Sequence, residues 1–364
     1  MFLHWLINQQ LRAEYDRLEY YRLHQSELRL DTYKNIRDFA TTAAAQQNKD
    51  VGRMIIIPPD FEGTNTHSRE LFLDFLAIIA KFGPPSWFTT STCNTKWAEI
   101  VTACEKEGCK PKYRPDITNN VFCEKCHSFM SDMVHEQMAG RVAAWFTVFE
   151  AQNRLLMHAH TLFILHDTDR PLTPDEVDRF VWSRFPDQET QTELFDLGKT
   201  FHVHGPCNKE RGGSYKWPCK MNGNECRFGF SKQFRENTFI DSKVPELKRP
   251  CDGRGFSKYI NSQIVFIDNR WLWNFSPVFL LRYRNHIDFQ FTPKKGSVRY
   301  LPKYFTKSAY TERVHITQKN AQNPNTINFE YDEVKAYKEM RSLGAPETHF
   351  RLTAHSLSET SVPV

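Results

Sequence analysis

At 364 residues and 40% apolar, the chain is long enough for one large or two medium domains with a proper hydrophobic core, as in an ordinary globular protein. Its formal net charge of +5 is mildly basic, which permits a nucleic-acid partner without demanding one. Nine cysteines, an odd count, exclude a fully paired disulfide framework. The opening MFLHWLI turns polar at Asn8 too soon for a signal peptide or membrane span, so an intracellular, reducing setting without a membrane partner is expected.

Residues 2–40 read as helical, because Leu11, Tyr15, Leu18, Tyr21 and Leu28 fall near a 3.6 period among charged residues. A loop with Pro58, Pro59 and Gly63 leads into a second helix, Ser68 to Phe82, capped by His67 or Ser68 and stopped by Gly83-Pro84-Pro85. Trp87 to Asn94, rich in Thr and aromatics, predicts a strand, and residues 128–140 a helix ending at Gly140. Arg141–Glu150 and Leu156–Leu165 predict two strands joined closely enough to form an antiparallel hairpin. Beyond them residues 166–250 look irregular, apart from a helical piece at Pro174–Phe185 and a Cys/Gly/Pro-rich loop at 204–230. Strands return at Gln263–Ile267 and Ile287–Phe291, and Val298–Lys307 reads as a helix carrying three bases and no acids.

The hairpin carries the first chemical signal. In a strand, residues two apart share a face, so His158 and His160 project together, as do Glu150 and Gln152 on the preceding strand. Placing Gln152 across from His158, and Glu150 across from His160, brings both pairs to one side. That register needs an odd-length connection. Two imidazoles with one or two oxygens, and positions left for water and substrate, suit Mn²⁺ or Mg²⁺ on a phosphate oxygen; imidazole also accepts Zn²⁺. A pair of half-buried, hydrogen-bonded histidines is the equal alternative at this stage.

The second signal is SVRYLPKYFTKS, Ser297 to Ser308. On a helix Tyr300 and Tyr304 lie one turn apart on one face, with Lys303 and Lys307 beside them. A phenol with a reference pKa of about 10 is a poor nucleophile unless cations stabilise its phenolate. Two tyrosines packing a helix onto a sheet, with a solvated lysine face, is the bland alternative.

Together, Glu-x-Gln, the His-x-His strand and Tyr-x-x-Lys-Tyr-x-x-Lys resemble the HUH endonuclease domain of Helitron transposases, relatives of two-tyrosine rolling-circle replication initiators. FTTSTCNTKW (Phe88 to Trp97), GRMIIIPPDFEG, YRPDI, HGPC with Cys219 and Cys226, and RYRNHIDFQ also resemble family segments, in the expected order from about residue 10 to about 350. The resemblance implies an α+β fold: an HUH-type central antiparallel sheet with flanking helices, an N-terminal helical segment and a Cys-rich insertion. The matching division is an N-terminal helical segment over 1–50, a nuclease domain over 51–315 with its insertion at about 166–260, and a C-terminal helical extension over 316–364.

By the same resemblance His158 and His160, completed by Gln152 or Glu150, would hold Mg²⁺ or Mn²⁺. Tyr304 or Tyr300 would attack a phosphate of single-stranded DNA at transposon ends and targets, leaving a 5′-phosphotyrosine and a free 3′-hydroxyl. Lys303 and Lys307 would neutralise developing charge, and Asn94, Lys96 and Arg299 would contact DNA. A helicase domain or protein is the implied partner and the nucleus the implied location. No stretch here resembles a P-loop, so an isolated portion, truncated copy or non-autonomous relative is expected.

The chain departs from the family pattern in three places. Thr95 stands where proline is usual, Met157 replaces the proline before the histidines, and Pro302 separates the tyrosines. Proline clashes inside a helix beyond its first turn and biases Leu301 away from α geometry, which favours Tyr304 over Tyr300 as nucleophile.

Two cysteine clusters add metal candidates. His204-x₂-Cys207-x₁₁-Cys219-x₆-Cys226 offers a structural Zn²⁺ site, which makes His204 a ligand and His202 a bystander. Cys104-x₄-Cys109-x₁₃-Cys123-x₂-Cys126 is the other. The alternatives to a nuclease are a decayed transposase remnant that binds DNA without cutting it, and a zinc hydrolase built on His158 and His160.

Overall fold

The computed structural model describes residues 2–25, 27–28, 51–151, 156–207, 219, 226–240, 245–260, 263–292, 329–340 and 344–362. The chain divides into two units: Met1–Ala77 with Leu301–Leu357, and Ile78–Tyr300 with Ser358–Val364.

In the first unit α1 (Phe2–Leu23) is helical as expected but buries a different face: Leu6, Gln10, Glu14 and Leu18 are buried, so that of the residues marking the expected period only Leu18 is fully buried and Tyr15 is exposed. Strand β1 (Val51–Ile55) pairs in parallel with β8 (Phe329–Asp332), and α8 (Glu333–Met340) and α9 (Ala345–Leu352) follow. Leu18, Ile55, Ile57, Phe61, Val334 and Tyr337 form its core. The Arg351 guanidinium is buried, 3.0 Å from Glu14 and 3.1 Å from Glu347, so a charge that would be costly unpaired is matched by two carboxylates. Helix α2 (Asn65–Phe82) begins earlier than the periodicity indicates, because the Thr64 hydroxyl accepts the His67 N–H at 3.0 Å and caps the first turn.

The second unit is built on a five-stranded antiparallel sheet ordered β7-β2-β4-β3-β9, made from β2 (Trp87–Thr92), β3 (Val142–Ala151), β4 (Met157–Leu165), β7 (Ile287–Phe291) and β9 (Ser358–Thr360). The molecule is therefore α+β. β4 is central and all nine of its residues are buried, which is why the run MHAHTLFIL lacks the polar alternation of a half-exposed strand. β9 comes from the segment read as a helical extension, and it adds an edge strand to β3.

One face of the sheet is the hydrophobic core. Trp87, Phe163, Phe289 and Phe291 pack there against Phe129 and Met133 of α4 (Pro115–Val134) and Phe279 of α7 (Pro277–Tyr283). Asp132 on α4 ties the two helices, accepting the Tyr283 hydroxyl at 2.5 Å and pairing with Arg282 at 2.7 Å. Helix α4 starts thirteen residues before the expected 128. Pro115 preorganises its first turn, while the Asn and Cys positions that follow carry little helical signal. Gly140, at φ 103°, then turns the chain into β3.

The remaining α-helices and strands among the described residues are α3 (Ala98–Lys106), α5 (Pro174–Phe180), α6 (Thr192–Phe201), β5 (Gly255–Ile260) and β6 (Gln263–Asp268). α5 carries the capping box Thr173–Glu176 and ends five residues short of the expected Phe185. There Trp182 leaves the helix to exchange backbone hydrogen bonds with Phe275. A second core, with Phe185, Phe195, Trp271, Leu272 and Phe275, also contains Cys207 and Cys219.

Candidate functional site

The opposite face of the sheet holds the histidines. The register pairs Glu150 with His158 and Val148 with His160, two residues away from the arrangement expected from the sequence. Parity is preserved, because Ala151 pairs with Met157 and the connection 152–156 has an odd length. Glu150, His158 and His160 therefore share one face, and Glu150 reaches diagonally to His160, Oε2 to Nε2, at 3.2 Å. Gln152 lies outside the described residues.

Each imidazole has a second-nitrogen partner. His158 Nδ1 lies 3.0 Å from the Leu156 carbonyl, so this nitrogen carries the proton and leaves the Nε2 lone pair available. Burial depresses the His158 pKa to about 4, against the opposing pull of the Leu156 carbonyl, and keeps the ring neutral as a metal ligand must be. His160 Nδ1 lies 3.0 Å from Thr90 Oγ1 on β2, which pairs in register with it. The His160 side chain is 1% exposed and Glu150 23%, so the site opens to solvent at its carboxylate end.

Across Thr90 the same face continues onto β7. Asp288 pairs with Thr90 and is buried; Oδ2 accepts from Gln290 Nε2, and Oδ1 has no hydrogen-bond partner among the described residues. Burial pushes its pKa up to about 7, opposed by the Gln290 contact. The sequence reading missed Thr90 and Asp288. Both lie in quoted stretches, FTTST and HIDFQ, but which strands neighbour β4 is not written in local periodicity.

The other sequence-predicted residues fall as follows. Asn94 is engaged locally: Nδ2 donates to the Arg284 carbonyl at 2.8 Å and Oδ1 accepts the Lys96 N–H at 2.9 Å, fixing the turn that presents exposed Lys96. Arg299, Tyr300, Lys303, Tyr304 and Lys307 lie outside the described residues. His202 is buried among the rings of Phe275 and His286.

His204, Cys207, Cys219 and Cys226 come together, their ligand atoms all within 4.8 Å of one another. Among the described residues this is the one group of three or more His, Cys, Asp or Glu that converges so closely. The hairpin trio is more open, and the second cysteine set does not assemble. Cys109 Sγ turns to the Cys104 carbonyl at 3.4 Å, while Cys123 and Cys126 lie buried on α4.

The class defined here is an α+β protein with two imidazoles and a carboxylate on one face of a central antiparallel sheet. Residues 1–163 match the family model described as the Helitron helicase-like domain at the N-terminus, so this part of the chain is similar to a Helitron-like transposase N-terminal region. The match ends inside β4 and takes in Asn94, Lys96, Glu150, His158 and His160. A comparison with curated proteins finds no match. Among the described residues no helix is long and apolar enough to cross a membrane.

Proposed function

We propose that the chain is the HUH-type endonuclease and strand-transfer portion of a Helitron-like transposase, acting on single-stranded DNA in the nucleus beside a helicase domain or protein. The observation that carries this reading is the sharing of one face by His158, His160 and Glu150, with the 3.2 Å approach of His160 to Glu150.

The donor set fits a divalent cation. His158 is neutral with Nε2 available, and Glu150 supplies a hard oxygen at the solvent-facing end. His158, His160 and Glu150, with Gln152 as the further candidate, would hold Mg²⁺ or Mn²⁺. Bound there, the ion would polarise a phosphate oxygen and stabilise charge on the leaving 3′-oxygen.

The remaining chemistry belongs to the chain. The Leu156 carbonyl and Thr90 hydroxyl fix the two ring orientations. The Tyr304 oxygen, or that of Tyr300, forms the new bond to phosphorus as the bond to the 3′-oxygen breaks. The phenolic proton is lost and the 3′-oxygen gains one, leaving a 5′-phosphotyrosine and a free 3′-hydroxyl. Lys303 and Lys307 supply positive charge to phenolate and phosphate. The phosphotyrosine keeps the energy of the broken diester, so attack by a new 3′-hydroxyl rejoins strands without ATP.

The test is cleavage of a single-stranded oligonucleotide, with and without added Mn²⁺ or Mg²⁺, by wild type and by His158→Ala/His160→Ala. Metal-dependent nicking that the double variant loses supports the reading. Binding without nicking under any of these metals identifies a decayed DNA-binding remnant, and nicking indifferent to the histidines removes the hairpin from the mechanism.

A further inference from the structure

The second unit contains a convergent set of four donors besides those of the hairpin face. His204 Nε2 lies 3.4 Å from Cys226 Sγ, and Cys207 and Cys219 bring two more sulfurs within 4.8 Å of both. A tetrahedral zinc with sulfur at about 2.3 Å and nitrogen at about 2.0–2.1 Å sets its ligand atoms roughly 3.5–3.8 Å apart. The His204–Cys226 pair already stands close to that edge length, and the other separations, none above 4.8 Å, need to shorten by no more than about 1.3 Å to reach it. An S–H···N contact would explain the His204–Cys226 pair, but not two additional buried thiols converging on it.

The surroundings are those of a closed structural site. The His204 ring is stacked 4.4 Å from Phe230, and its backbone N–H donates to the Trp271 carbonyl at 2.8 Å. Cys226 opens a tight turn: the Gly229 N–H returns to the Cys226 carbonyl at 2.8 Å, and the Arg227 N–H bonds the Cys219 carbonyl at 3.0 Å. The amides of Phe230 and Phe228 point at the Cys226 sulfur, an arrangement that stabilises a thiolate. Cys207 and Cys219 are both almost fully buried in the core with Trp271, Leu272 and Phe275. All four corners come from protein, three of them soft sulfurs, and no position is left for substrate.

We propose that His204, Cys207, Cys219 and Cys226 bind one structural Zn²⁺, and that the chain therefore carries two metal sites of different chemistry. One is a closed S₃N site that ties His204, Cys207, Cys219 and Cys226 to the core beside them. The other is the open nitrogen and oxygen site of the hairpin, which takes a hard cation. Three thiols give up protons when the ion binds, so the ion's binding free energy adds to the stability of the fold around it. The zinc assignment does not depend on the nuclease reading; the second, hairpin site rests on it.

The test uses the full chain, purified without chelator and dialysed exhaustively. Elemental analysis is expected to find one zinc per chain, retained by His158→Ala/His160→Ala and by Cys251→Ser, and lost by Cys226→Ser. Cobalt exchange is expected to give a thiolate-to-cobalt charge-transfer band in the wild type. Because a cysteine variant can fail through misfolding, the wild type is also alkylated before and after zinc removal. Cys207, Cys219 and Cys226 are expected to gain reactivity as a set, mapped by mass spectrometry. A wild-type chain without zinc or the cobalt band, a disulfide among these cysteines, zinc retained in Cys226→Ser, or unchanged alkylation overturns the proposal.

Discussion

His160 Nε2 meets Glu150 Oε2 at 3.2 Å although Glu150 is paired in register with His158. The carboxylate leans along the hairpin to the more deeply buried ring and so stands beside both histidines of the face. A cation entering between them would replace a hydrogen bond with coordination, without a change of register.

Thr90 is the partner that orients His160 from the neighbouring strand. Thr90→Val keeps the shape and removes the hydroxyl. Outer partners of this kind are worth about 10–100-fold in metal affinity or activity. The Mn²⁺ concentration giving half-maximal nicking should rise by that factor, while the far-ultraviolet dichroism stays that of the wild type. An unchanged Mn²⁺ dependence would show that Thr90 does not orient the ring.

Asp288 makes the fold sensitive to pH. Its carboxyl has a pKa of 3.8 in ordinary surroundings and about 7 in the buried site, so the folded chain holds the proton more tightly than the unfolded one. Stability from this group is full below pH 3.8, declines as pH rises and is lost once pH passes about 7. The shift corresponds to about 4 kcal/mol at most. Asp288→Asn should stabilise the chain at pH 8 by a few kcal/mol on this scale and flatten that part of the profile in urea titrations without added divalent ions. Equal or lower stability of the variant at pH 8 would contradict this.

Phe163 fills the core face directly behind the site and is fully buried against Phe129 and Trp87. Phe163→Ala should cost about 3–5 kcal/mol through lost burial and the cavity it leaves. Leu172→Ala, at a side chain 74% exposed, should stay within about 0.5 kcal/mol of wild type. Denaturant midpoints separate the two; a cost near zero at Phe163 would mean that this face is not the core.

Short-range patterns made much of the site legible. The alternation through His158 and His160, and the odd connection from Ala151 to Met157, put the polar groups on one face before any register was known. What local pattern cannot carry is which strands become neighbours. Thr90 and Asp288 join the site because β2 lies between β4 and β7, a contact spanning most of the chain. Helix α6 and strand β5 were hidden in residues 166–260, where short elements and loops alternate too quickly for periodicity to register. Cysteine spacing announced the 204–226 cluster, but the same logic applied to Cys104, Cys109, Cys123 and Cys126 names residues that do not converge as a set of four. Spacing fixes which ligands are available, and the core decides which converge.

The proposed cleavage of single-stranded DNA through a phosphotyrosine leaves a covalent product on the protein, which adduct mapping detects. Wild-type protein incubated with a single-stranded oligonucleotide and Mn²⁺ should gain the mass of the 5′-phosphorylated cleavage product on the peptide carrying Tyr300 and Tyr304. The adduct should disappear in Tyr300→Phe/Tyr304→Phe and in His158→Ala/His160→Ala. An adduct that persists in the double tyrosine variant, or nicking by the wild type with no covalent protein product, would contradict the account.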